Sequence, residues 1–182
     1  ETRASDIELP AQALDTIELD GRVGVGALRL AGLDFQRVTT RIRTGNGEGQ
    51  LDDARAELYG GQFAGSFRVQ AAGDAPGLAL RGRATNLALE PLIVALTGDA
   101  HVSGTGDFDL QLSGRGAKII DNVQSATGDV AFSLRAGAID GFNLGRALCV
   151  VYNATQRAPA PPERANVTAF DVISGTATVR DG

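Results

Sequence analysis

Residues 104–116 read GTGDFDLQLSGRG, in which Phe108, Leu110 and Leu112 alternate with Asp107, Asp109, Gln111 and Ser113 before glycines break the pattern. A period of two puts the apolar set on one face of a β-strand and the carboxylates on the other. Half of this segment avoids water, so what covers that half decides the architecture.

Reading outward, the alternation recurs almost everywhere. Ile17, Leu19, Val23 and Val25 share one parity, then Leu28 and Leu30 take over after Gly26, as a bulge would read. Val38, Thr40 and Ile42 form another strand, ended by the turn cluster GNGEG at 45–49. Ala54, Ala56 and Leu58 share a face, and Gly60 and Gly61 link them to Phe63, Phe67 and Val69, which predicts two antiparallel strands. Leu78, Leu80 and Ala84 continue the meander, and Ala177 and Val179 begin a last strand.

Three stretches break the period and predict short helices. EPLIVALTG at 90–98 has Pro91 near a first turn and Gly98 past the end. In 117–128, Ile119, Ile120 and Val123 fall at helical spacing, and in 143–156 a stripe of Leu144, Ala147, Leu148 and Val151 follows Asn143 as a cap. Residues 157–166, RAPAPPERAN, predict an extended, exposed loop. Short stretches also resemble each other, 26–35 with 137–144 and 132–137 with 177–182, which suits a repeated β module as well as common strand-and-turn grammar.

Composition narrows the function classes. The 182 residues suit one large domain or a repeat array, and 24 glycines with 5% aromatics suit many short strands joined by tight turns. The net charge of -5 is spread in ones and twos, leaving no basic surface to track nucleic acid. The longest apolar runs, 91–96 and 147–152, are far shorter than the roughly 20 residues of a spanning helix. The chain opens on Glu1 without Met, which predicts an excised or processed segment and leaves room for an anchor upstream. The lone Cys149 is read as a buried thiol or as half of a pair with a cysteine outside the segment.

Catalytic chemistry finds few carriers. His101 is the only histidine, which rules against a multi-histidine metal site and leaves a triad to one imidazole; beside Asp99 it reads as an exposed polar residue. Asp107 and Asp109 read as the solvated face of a strand rather than a catalytic pair. GVGALR, GNGEGQ and GRGAKI lack phosphate-loop spacing in a strand-to-helix context. Asn153 with Thr155 and Asn166 with Thr168 match a glycosylation pattern that is common by chance. No enzyme, cofactor or metal is expected.

About ten strands then present apolar faces to only three short helices. A sandwich or barrel could cover itself; the sharper expectation is a sheet curled into a trough whose lining receives acyl chains or is closed by flanking sequence. The fold expected is mainly β, an antiparallel meander curled into a groove or open barrel-like sheet with about three short helices. It is one unit over 1–182, with a meander at 1–89 and a strand-helix-strand module at 90–182, cut at both ends.

The order GTGDFDLQLSGRG, short helix, SATGDVAFSLRAGAIDGFNLGRAL (125–148) and TAFDVISGTATVRDG (168–182) resembles the C-terminal region of the AsmA family, and LDDARAELYGGQFAGSFRV (51–69) resembles its preceding strands. These motifs are small and apolar, and span nearly the whole chain. The resemblance implies a periplasmic protein of a two-membrane bacterium, tethered to the inner membrane by an N-terminal helix. It also implies kinship with bridge-like lipid transfer proteins, whose grooves pass phospholipid toward the outer membrane, and a link to outer-membrane assembly. It carries over no catalytic residues. In an oxidising periplasm, a pairing of Cys149 with a cysteine beyond Gly182 gains weight. The expected lining is Phe108, Leu110, Leu112, Val130, Phe132 and Leu134, with Val23, Val25, Phe67 and Val69. The expected partners are phospholipid acyl chains and, secondarily, envelope proteins, without nucleic acid. The alternative is a scaffold in which the same face packs as an ordinary core.

Overall fold

The computed structural model describes residues 18–30, 32–71, 75–141 and 167–180. They form one eight-stranded sheet: β1 (Leu19–Leu30), β2 (Leu33–Gly45), β3 (Glu48–Leu58), β4 (Gly61–Gln70), β5 (Gly77–Ala88), β6 (Thr105–Arg115), β7 (Thr127–Asp140) and β8 (Val167–Val179). The spatial order is β1 to β8 in sequence, with every neighbour antiparallel and no pairing of β1 with β8. This is an open meander; the sandwich and the closed barrel do not form among the described residues.

Two hairpin turns are set by left-handed residue pairs. Asn46 (φ 52°) with Gly47 (φ 74°) joins β2 to β3, and Tyr59 (φ 45°) with Gly60 (φ 76°) joins β3 to β4, the twist that matches right-handed strands.

The described residues hold eight strands, against about ten suggested by the alternation, and changes of parity fall within strands rather than between them. At Gly26 the apolar set shifts as expected, yet the β1–β2 register keeps its offset: Val25 faces Val38 and Ala27 faces Gln36. β2 makes the same shift opposite, at Arg37 (φ 47°), so the two strands change step together. Asp53 in β3 (φ 51°) and Asn86 in β5 (φ 55°) mark bulges where the register slips, against β2 and β4 for Asp53 and against β6 for Asn86. Such bulges bend a strand and raise its twist, which suits a sheet that curls.

The described residues contain two helices, α1 (Leu89–Thr97) and α2 (Ile119–Gln124). α1 starts when the Ala88 N–H donates to the Tyr59 carbonyl (2.9 Å) and the Leu89 N–H to that of Gly104 (3.0 Å). Pro91 sits in its first turn, and Gly98 in the left-handed conformation (φ 86°) ends it. α2 is fastened by side chains. Buried Asn122 donates its amide to the Gly116 (2.7 Å) and Lys118 (2.9 Å) carbonyls, and the Arg115 N–H donates to the Ser125 hydroxyl (2.8 Å). The third expected helix at 143–156, Cys149 and the Pro-rich stretch at 157–166 lie outside the described residues.

Among the described residues the buried apolar set is small: Ala54, Ala56, Leu58, Ala84, Leu87 and Leu89. Leu58, Ala84 and Leu87 cluster with Phe35, Phe63, Leu92 and Phe108 where α1 meets the sheet. The core therefore sits at one end of the apolar face.

Candidate functional site: an apolar face bounded by two helices

Residues directly opposite on paired strands point to the same side of a sheet, so the register sorts the expected lining. Phe108, Leu110 and Leu112 of β6 face Phe132, Val130 and Gly128 of β7, and Ala84, Gly82 and Leu80 of β5. Leu80 faces Phe67 and Leu78 faces Val69. Phe67 leads through Leu51 to Ile42, on whose side Thr40 and Val38 face Val23 and Val25. Leu134 stands between Gly106 and Ile173. All ten expected lining residues share one face, which runs from β1 to β8.

That face is only partly covered. Phe67, Val69, Phe108, Leu110, Leu112, Val130, Phe132 and Leu134 are half-buried, while Val23 and Val25 on the edge strand are 40% and 37% exposed. Aromatic rings fill gaps left by glycine: Phe63 lies over Gly65 and Gly82, and Phe132 over Gly175. The Phe63 and Phe67 rings tilt together at 5.9 Å between centroids.

Both helices rest on this face, at opposite ends of β6. Leu89 of α1 lies against Gly106, 2.7 Å from where a Cβ would stand, and the Asn122 backbone of α2 occupies the space over Gly114. The two seats are eight positions apart, roughly 27 Å of strand. Phe108, Leu110 and Leu112 form the floor between them. In the sequence Gly114 reads only as a break in the alternation and Gly106 goes unassigned; the signal for both seats is a parity shared with the apolar residues.

The opposite face is charged and paired. Arg83 makes a two-pronged bond to Asp109 (2.6 and 3.1 Å) and Arg41 one to Asp20 (2.8 and 2.7 Å). Arg135 binds Asp107, and Asn86 donates its N–H to the same carboxylate (2.8 Å). The Arg135 bond, with help from the Asn86 N–H, holds the Asp107 carboxyl below its ordinary value. Asp107 and Asp109 thus each hold an arginine on the solvated face, as their parity predicted. His101 Nε2 lies 3.5 Å from Asp99 Oδ2 with both side chains largely exposed. Among the described residues no group of histidine, cysteine and carboxylate side chains is placed to hold a metal, and no helix is long and apolar enough to cross a membrane.

Searches of curated proteins and of solved structures give no match. The AsmA family model matches residues 5–182, nearly the whole sequence. The chain belongs to the AsmA family.

Proposed function

We propose that this chain is a non-enzymatic carrier surface for phospholipid, in which acyl chains lie on the apolar face between α1 and α2 while headgroups remain in water. The observation that carries this reading is the continuous apolar face of eight strands whose helical cover, among the described residues, is confined to its two ends. Half-buried Leu, Val and Phe side chains offer non-directional contact, which suits hydrocarbon chains of varied structure. Lipid placed there would remove from water the exposed parts of these apolar side chains.

Family membership supports the setting: a periplasmic protein held to the inner membrane by a helix upstream, serving phospholipid traffic between two membranes and outer-membrane assembly. The lining is Phe108, Leu110, Leu112, Val130, Phe132 and Leu134, extended by Phe67 and Val69 and, at the edge, Val23 and Val25.

Photocrosslinking residues at Leu110 and Phe132 of the full-length protein test this in cells. Phospholipid adducts are expected at these positions and not at Gln111 or Ser133. Adducts confined to the Gln111 and Ser133 parity would overturn the reading.

A further inference from the structure

Among the described residues, two of the cavities that open on the charged side differ in how their charges are settled. One, about 380 Å³ beside the Tyr59–Gly60 turn, has Arg37 bound to Glu57 across it. The other, about 450 Å³, lies at the α2 end of the sheet and is lined by Arg68, Gln70, Ala79, Ser113, Arg115 and Thr127, among others. Its shape follows from β5, where Gly77 and Ala79 make a low floor between longer side chains of β4 and β6.

Its chemistry is rich in donors. Arg29, Arg37, Arg41, Arg43, Arg83 and Arg135 each hold a carboxylate, whereas no described carboxylate lies within 4 Å of Arg68 or Arg115. Glu48, which feels the field of Arg68, already accepts the amides of Gln70 (2.9 Å) and Gln50 (3.4 Å). The Ser113 and Thr127 hydroxyls stand 3.5 Å apart on the same wall. Arg68 faces Ala79 and Arg115 faces Gly77, so their Cα atoms are two strands and two residues apart, about 12 Å. Two guanidinium arms can close that span on one tetrahedral anion.

The geometry points to this cavity as a binding site for a phosphate-bearing anion, clamped by Arg68 and Arg115 and contacted by the Ser113 and Thr127 hydroxyls. Its volume exceeds that of phosphate alone and leaves room for the organic part of a phosphate ester or a lipid headgroup. The site lies on the face opposite the apolar one and does not depend on lipid occupying that face.

The test follows backbone amide shifts as inorganic phosphate replaces chloride at constant ionic strength. Saturable shifts are expected around Arg68, Ala79, Ser113, Arg115 and Thr127. Binding should weaken about tenfold in Arg68→Gln and in Arg115→Gln. It should be unchanged in Arg22→Gln, an arginine on the far edge strand with no carboxylate partner among the described residues. A second arm floats the chain with phosphatidylglycerol or phosphatidylcholine vesicles. Flotation lost in Arg68→Gln and Arg115→Gln identifies a headgroup as the source; phosphate shifts without flotation identify a soluble ester. Shifts that are absent, never saturate, or are equal in Arg68→Gln and the unsubstituted chain would overturn the site.

Discussion

Gly114 seats α2 on the end of β6. A Cβ there meets the backbone of Asn122, which cannot turn aside as a side chain would, so α2 must lift or the end of β6 must bend. Gly114→Ala should cost about 1–3 kcal/mol in urea unfolding. Gly21→Ala, at a β1 position with nothing within 4 Å, should be close to neutral. Equal costs would mean that α2 is not seated on β6. On the charged face, Asp107 links β6 to β5 through Asn86 and to β7 through Arg135. Its folded carboxyl titrates below the ordinary value near 3.9. The stabilisation is therefore complete above that value and is lost as pH falls through the folded pKa. Asp107→Asn should make the loss of stability below about pH 4 shallower. A denaturant series across pH 2–5 checks this, and superimposable acid limbs would remove Asp107 from the balance.

Strands reveal where burial ends and an open surface begins. Leu87 is 3% exposed beneath α1, while Leu110, midway between the helix seats, is half-buried. Leu87→Ala should cost about 3 kcal/mol, within the range for buried leucine, and Leu110→Ala about 1 kcal/mol because little cavity is left behind. Matching costs in equilibrium unfolding would mean that the whole face is packed, as a scaffold requires. The face of Leu110 was legible in the sequence, since period two fixes sidedness without any knowledge of partners, whereas Leu87 joins the face of Leu80 and Ala84 only through the bulge at Asn86. Strand number was less so: the shift of Val23 and Val25 to Leu28 and Leu30 was visible, but that β2 shifts in step at Arg37 depends on pairing. The helix seats were hidden because Gly106 and Gly114 have no side chain to declare a face. Closure was undetermined for a similar reason, as alternation is the same in a sandwich, a barrel and an open sheet.

For the molecule as a whole, an apolar face that the described residues leave without a second layer couples stability to whatever occupies it. A ligand that binds the folded chain and not the unfolded one stabilises it by RT ln(1 + [L]/Kd), about 2.7 kcal/mol at a hundredfold excess over Kd. For a domain of this size that amounts to a rise in Tm of several degrees. Delipidated protein should therefore melt lower than protein loaded with phospholipid, and reloading should restore the difference. Leu110→Lys places a charge on the floor between α1 and α2, at a half-buried position where the ammonium can reach water. Its basal Tm should fall little, while the lipid-dependent rise should disappear. Gln111→Lys, one residue on and on the opposite face, should retain the full rise. Both Tm shifts, read by calorimetry on matched lipid-loaded and delipidated samples, separate occupation of the face from a general effect of lipid on the chain. An equal rise in the two variants would place the lipid elsewhere, and no rise in the unsubstituted chain would leave the face without an acyl ligand.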